Sequence, residues 1–279
     1  MKPGTRLIGA LVQRALDPMV GVRRVQAPGL TILGYHRIDD SGGHLSVRLD
    51  HFRSHLDWIQ SNGIRVVDVT DSQSPPVHHT PCVAITFDDG YLSMAEAAWP
   101  ELKSRGWPAT LYVVSDYLVG RGTFPWDRAT DVRSKLAGTS LVRDLSQDGL
   151  TIGSHSLTHP YLPALALRQA RTEIHDSRRA LEDFLQHEIT SFSYPMGGWN
   201  IHLRNFVAEA GYLTAVTCVR GRNLAGADPL ALRRSIVEGA PVDFERTMKG
   251  YYDWLRPFDW WREGRRQRSG ESVFSGAGD

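Results

Sequence analysis

Asp88 and Asp89 stand in the run Thr86-Phe87-Asp88-Asp89-Gly90, directly after the apolar stretch Cys82-Val83-Ala84-Ile85. Two adjacent carboxylates leaving a buried strand can divide two tasks, one holding a metal ion and the other taking a proton. Asp-Asp-Gly is equally a common turn sequence, because Asp hydrogen-bonds nearby backbone there. A second run, Ile152-Gly153-Ser154-His155-Ser156-Leu157-Thr158-His159-Pro160, supplies two histidines four residues apart after another strand-like segment. Alone, that pair would as readily be packing or surface decoration. Gly153 before it and Pro160 after it put it on a loop or single turn at a strand end. One Asp with two His is a donor set for a divalent ion, and three protein ligands leave positions for water and substrate.

The elements that must carry these residues alternate from about residue 30 onward. Strand-like runs fall at 31–35, 64–68, 82–87, 109–114, 150–154, 190–194, 213–218 and 234–237. Helical patterns lie between them. One covers 50–62, with Phe52, Leu56 and Ile59 at helical spacing and Asn62-Gly63 as a stop; another covers 163–187, with Leu167, Ala170, Ile174, Leu181 and Leu185 on one face. This alternation predicts an α/β fold, a distorted (β/α) barrel of seven or eight strands whose site is assembled at the carboxyl ends of the strands. His36 would end the first strand, Asp88 and Asp89 the third, His155 the fifth, and Pro195 with Gly197 the sixth, all on one rim. The stretch 117–149 reads as an irregular insertion with a short helix, and Ser72-Gln73-Ser74-Pro75-Pro76 with His78-His79 as a surface loop.

The 279 residues fit an amino-terminal extension over 1–29, one barrel over 30–240, and a carboxyl-terminal helix and tail over 241–279. A net charge of +1 makes no general case for nucleic-acid binding. Cys82 and Cys218 lie far apart in apolar runs, which predicts buried free thiols. The apolar run near the amino terminus, Leu7 to Val12, is far shorter than a membrane span and lacks a clear cleavage site, so the expectation is cytoplasmic. The tail carries Trp254, Trp260 and Trp261 followed by Arg262, Arg265, Arg266 and Arg268, which would suit the barrel, a partner or an anionic membrane at the inner face.

The Asp-Asp-Gly and His-x-x-x-His runs together resemble the NodB-type polysaccharide deacetylases, carbohydrate esterase family 4, over roughly residues 30–238. Further stretches resemble one branch of that family, with a Tyr-His pair on the first strand and no carboxyl-terminal Leu-x-x-His motif. They are Leu33-Gly34-Tyr35-His36-Arg37-Ile38, the helix from Phe52 to Gly63, Tyr194-Pro195-Met196-Gly197-Gly198 and Leu232-Arg233-Arg234-Ser235-Ile236.

The resemblance implies a NodB homology domain in which Asp89, His155 and His159 hold one divalent ion and Asp88 is the general base. Zinc suits the ligand types best, and cobalt, nickel or iron would also be accepted. The backbone N–H of Met196, between Pro195 and Gly197, would join the metal in stabilising an oxyanion. Tyr194 and Trp199 would shape a sugar pocket, with a core role for Tyr194 equally open. Two departures from the common pattern remain. No histidine follows His202, which turns the role of general acid to His36, unless that residue merely closes the first strand; Ser193 stands where an arginine is usual, which leaves Arg234 to orient Asp88 or to form a structural ion pair.

The implied activity is that of a hydrolase acting on carbon–nitrogen bonds other than peptide bonds. It would remove acetyl from N-acetylhexosamine units of a glycan or of a lipid- or nucleotide-linked sugar. The alternatives are an O-acetyl esterase on the same site and an inactive glycan-binding homologue.

Overall fold

The computed structural model describes residues 27–43, 45–73, 79–122, 124, 126, 135–238 and 241–251. Its main element is an eight-stranded sheet with every pairing parallel. The strands are β1 (Gly29–Tyr35), β4 (Arg65–Val66), β5 (Pro81–Phe87), β6 (Thr110–Val113), β7 (Thr151–Ser154), β8 (Ser191–Ser193), β9 (Thr214–Val216) and β10 (Ser235–Ile236). They run in the order β10-β1-β5-β6-β7-β8-β9, and β4 pairs beside β5 at Cys82 and Val83. The segment leading into β10 closes the ring, since Leu232 N–H donates to the Ala215 carbonyl and Thr217 N–H to the Leu232 carbonyl. All eight predicted strands are present, most of them shorter than their apolar runs. Two further two-residue strands, β2 (Arg37–Ile38) and β3 (Ser46–Val47), pair with each other beside the rim. Elements of that length carry no readable period.

β1 and β5 are apolar nearly throughout because parallel strands in a barrel are covered on both faces. Side chains alternate between those faces. Leu33, Tyr35, Val83, Ile85 and Phe87 join the layer under the helices. Leu30, Ile32, Cys82 and Ala84 fill the barrel interior with Tyr112, Val216 and Leu232. Continued one step past the strand, the interior series 82, 84, 86 reaches Asp88.

The outer layer follows the same logic at helical spacing. Helix α1 (Leu49–Ser61) buries Phe52, Leu56 and Ile59 and stops at Asn62, with Gly63 at φ 63°. The long helix predicted over 163–187 is a short 3-10 turn, Leu162–Ala164, followed by a separate helix, Leu167–Leu185. Pro163 belongs to the turn rather than to the helix. Ala170, Ile174, Leu181 and Leu185 face the core as predicted, but Leu167 is 51% exposed and the buried face gains Ser177 instead.

A short helix, Ser115–Leu118, leads into the insertion, which contains the helix Thr139–Gln147. Both cysteines are free, Cys82 buried and Cys218 only half-buried. Most of the predicted 72–79 loop, the tail beyond 251 and the amino-terminal extension lie outside the described residues. Helix Pro241–Met248 docks on α1, with Phe244 stacked on His55 at 4.2 Å and Trp58 Nε1 donating to Glu245 Oε1 at 2.9 Å.

Gly153 on β7 is a close-approach glycine. A Cβ there would meet two Tyr112 ring carbons at 2.5 Å and the Ser191 carbonyl at 3.0 Å. Tyr112 cannot yield, being fully buried with its hydroxyl bonded to Ser191 Oγ at 2.7 Å. Gly153→Ala should therefore destabilise the fold by about 1–3 kcal/mol in denaturant unfolding.

Candidate active site

Asp88 enters the barrel mouth from β5, with its backbone N–H donating to the Tyr35 carbonyl at 2.9 Å. Its carboxylate meets the guanidinium of Arg234 in two parallel bonds, Nη1 to Oδ1 at 2.7 Å and Nη2 to Oδ2 at 2.6 Å. Arg234 is fully buried. It also donates to the Thr217 carbonyl, to Thr86 Oγ1 and to Ser193 Oγ. Burial would raise the Asp88 carboxyl, but the charge and hydrogen bonds of the adjacent Arg234 outweigh it and hold the group well below the usual carboxylate range. Asp88 is thus a carboxylate at any ordinary pH. Arg234 stands directly before β10, at the amino end of the strand predicted over 234–237. Its side chain rises through the barrel interior, and Gly34 leaves it room, since a Cβ there would lie 3.2 Å from Arg234 Cδ.

Ser193 explains how the arginine can come from another strand. On β8, Ser191 and Ser193 face inward while Phe192 and Tyr194 join the layer under the helices. A small side chain at 193 leaves the interior to the Arg234 guanidinium, and the Ser193 hydroxyl lies between it and Asp88.

Asp89 turns away from its neighbour, through backbone at φ 73°, toward the loop after β7. There its Oδ1 lies 3.5 Å from His155 Nε2 and 3.6 Å from His159 Nε2, and the two imidazole nitrogens are 3.2 Å apart. His155 Nδ1 lies 2.8 Å from the Ser193 carbonyl. A carbonyl can only accept, so the proton is on Nδ1 and the Nε2 lone pair faces the cluster. Burial lowers both histidines, His159 well below its ordinary value, so both rings are neutral donors. Three such atoms at these spacings call for a proton or a metal cation among them. Metal–ligand bonds of about 2.0–2.2 Å in a tetrahedron set donors roughly 3.3–3.6 Å apart. Two nitrogens and one oxygen at 3.2–3.6 Å fit such an ion.

Backbone strain is concentrated here. Among the described residues, the non-glycine positions with positive φ are Asp89, Ser156, His159, Met196 and Gln186. Gln186 only ends a helix; the other four belong to the site segments. Each such residue costs about 1–3 kcal/mol, held in place by surrounding contacts, a pattern typical of functional sites.

The remaining predicted residues divide. His36, half-buried after β1, is close enough to Asp88 and His159 to act on the charge of each. Pro195, Met196 and Gly197 form a tight turn closed by the N–H groups of Gly197 and Gly198, which leaves the Met196 N–H outside those two bonds. Gly197, at φ 74°, has no room for a Cβ beside Cys218. Trp199 is half-buried beside this turn.

Tyr194 takes the core role rather than the pocket role. It is fully buried, packs on Phe192, and its hydroxyl donates to the Leu230 carbonyl at 2.9 Å, so its side chain lines no pocket. The sequence also missed an aromatic wall against the second histidine, with Phe124 and Trp126 ring centroids 5.3 and 5.4 Å from that of His159. Both come from the insertion, where no period marked them.

Fold and site together define a hydrolase built on a (β/α) barrel, with paired carboxylates and two histidines at its mouth. Residues 77–215 match the family model for polysaccharide deacetylase, and the chain belongs to that family. A Bacillus subtilis protein named as a polysaccharide deacetylase, YxkH, is 29% identical over 218 residues, covering 75% of this chain and 72% of that one. The poly-beta-1,6-N-acetyl-D-glucosamine N-deacetylase of Escherichia coli is 27% identical over 97 residues, which is 32% of this chain but only 14% of that protein. Among solved structures, IcaB from Ammonifex degensii has a TM-score of 0.67 at 21% identity, covering 83% of this chain and 98% of that one. The Streptococcus pyogenes deacetylase PplD, in complex with acetate, has a TM-score of 0.65 at 23% identity, covering 80% and 98%. These two share the fold.

Breaking the buried ion pair should be costly. Arg234→Met should destabilise the protein by about 3–5 kcal/mol in denaturant unfolding, because it strands a buried carboxylate. Adding Asp88→Asn should recover part of that loss. A carboxyl lowered in the native state contributes stability that is complete above its ordinary value of about 3.9 and is lost as pH falls toward the native value. Acid titration of unfolding should therefore show a loss below about pH 4 that is smaller in the double variant.

Proposed function

We propose that this protein removes acetyl from N-acetylhexosamine units of a glycan or glycan precursor by metal-assisted hydrolysis, releasing acetate and a free amine. The observation that carries this reading is the split of one turn's carboxylates, Asp89 facing two histidine nitrogens and Asp88 facing Arg234. A pure glycan-binding surface has no use for a second, buried carboxylate held ionised beside that cluster. The printed name of the Escherichia coli relative supports an N-acetyl substrate, across the segment the two share.

Asp89, His155 and His159 would hold the ion, zinc by donor type. When bound, it supplies a Lewis acid that acidifies water and polarises a carbonyl. Asp88, kept in acceptor form and oriented by Arg234, takes the proton of the attacking water. The Met196 N–H stabilises the developing oxyanion, a contribution worth about 2.7–4 kcal/mol where such donors have been removed. His36 gives a proton to the departing amine, without which the carbon–nitrogen bond does not break readily. Trp199 borders the sugar.

The same proposal places the protein at the inner face of a membrane, acting on lipid- or nucleotide-linked sugars. Its support is the Trp- and Arg-rich sequence after residue 251.

Acetate release from N-acetylglucosamine oligomers, measured after chelation and after zinc is restored, tests the reading directly. Turnover should need the metal and should favour N-acetyl over O-acetyl sugars; a preference for O-acetyl substrates would make the protein an esterase. Asp88→Asn should retain zinc by elemental analysis while losing about 10²–10⁴ in rate. His155→Ala should lose the zinc itself. For His36→Ala, N-acetyl turnover should fall far more than O-acetyl turnover, because an alkoxide depends less on an acid, and an equal effect on both would remove it from that role. Removal of residues 252–279 should abolish pelleting with anionic liposomes.

A further inference from the structure

The loop between the two histidines has its backbone groups satisfied from three directions. The Ser156 and Leu157 carbonyls accept from the N–H groups of Ser115 and Asp116, and the Thr158 carbonyl accepts from the Tyr117 hydroxyl. His159 N–H donates to Ser156 Oγ at 3.0 Å. The Leu157 and Thr158 amides both donate to one carboxylate oxygen, Glu173 Oε2, at 3.0 and 2.9 Å. The other oxygen, Oε1, accepts the Thr158 hydroxyl at 2.6 Å.

Glu173 stands on the helix Leu167–Leu185, and its three bonds go to the loop's backbone and to Thr158 rather than to either histidine ring. Its three bonds fall between two residues held at positive φ, Ser156 at 65° and His159 at 61°. Nothing in the sequence singled it out, since a Glu on a charged helix face reads as a solvated side chain.

We infer that Glu173 is a positioning residue for the metal centre, a carboxylate clamp that holds the loop in the strained form presenting both Nε2 atoms to one ion. The inference rests on the metal-site reading above. Without the clamp, Ser156 and His159 relax toward ordinary backbone, and His159 leaves the cluster while His155, anchored by its own N–H to the Val113 carbonyl and by Nδ1 to Ser193, stays. Charge is not what the clamp needs. An amide oxygen in the Oε2 place accepts both N–H groups, and its NH₂ can donate to the Thr158 hydroxyl oxygen.

The test is zinc affinity of the stripped full chain, read against a chromophoric chelator, with amide hydrogen exchange on the metal-free protein. Glu173→Ala should weaken zinc about 10- to 100-fold, the range found when partners of metal ligands are removed. Glu173→Gln should restore most of that affinity, and Thr158→Val should fall between. In the metal-free protein, the Leu157 and Thr158 amides should lose protection in Glu173→Ala and keep it in Glu173→Gln. Wild-type zinc affinity in Glu173→Ala would overturn the inference, as would a Glu173→Gln variant as weak as the alanine. Should Glu173→Ala fail to fold, Glu173→Gln and Thr158→Val decide alone: wild-type affinity in Thr158→Val, or alanine-like loss of the loop amides' protection in Glu173→Gln, overturns it. If the wild-type protein takes no zinc, the metal reading fails, and the exchange data still decide whether Glu173 holds the loop.

Discussion

The bidentate pair between Arg234 and Asp88 is the constraint around which the barrel mouth is arranged. A guanidinium with no solvent exposure must find acceptors for its donors, and here the Thr217 carbonyl, Thr86, Ser193 and both oxygens of Asp88 supply them. The side chain passes through space that β1 leaves with Gly34 and β8 with Ser193. The strands β5, β8 and β9 and the start of β10 are thereby tied to one group. The same pair fixes the protonation state of Asp88, because a carboxylate facing a buried cation stays ionised. An aliphatic barrel centre could be as stable. It would not hold an oriented carboxylate at the exit of β5.

The second constraint is the direction change between Asp88 and Asp89. Strand alternation sends Asp88 into the interior with Cys82, Ala84 and Thr86, and the left-handed backbone of Asp89 swings the next carboxylate toward β7. Two chemically identical side chains thus enter opposite environments. One meets a cation and is held as an acceptor. The other meets the Nε2 atoms of two neutral imidazoles, that of His155 turned to it as a lone pair by the Ser193 carbonyl. Ser193 serves both halves, its hydroxyl at the ion pair and its carbonyl at His155. Support from neighbouring elements offsets the strain at Asp89, Ser156, His159 and Met196.

Much of this was legible in the sequence. Eight apolar runs gave eight strands, because burial on both faces leaves a parallel strand little freedom in composition. The carboxylates and histidines were legible because their residue types at strand ends serve poorly as packing. Tyr194 was ambiguous for a definite reason: at a strand's end a tyrosine can face the core or the mouth, and only the register of β8 shows that 194 shares the face of Phe192. Leu167 keeps the helical spacing but is the first residue of its helix and is exposed there, which spacing alone does not reveal. Glu173, Phe124 and Trp126 carried no pattern, since each acquires its role only from what lies across space.

By itself, then, the amino-acid sequence determined the barrel, the rim on which the chemistry lies, and the residue types that carry it. These follow from short-range rules of periodicity, turn preference and donor chemistry, which act along the chain. The tertiary structure alone decided that Arg234 reaches Asp88 from inside the barrel, that Ser193 makes way for it, and that Tyr194 turns to the core. Those outcomes depend on strand register and on contacts between residues such as Asp88 and Arg234, far apart in the chain, where a shift of one position exchanges the inside of the barrel for the outside.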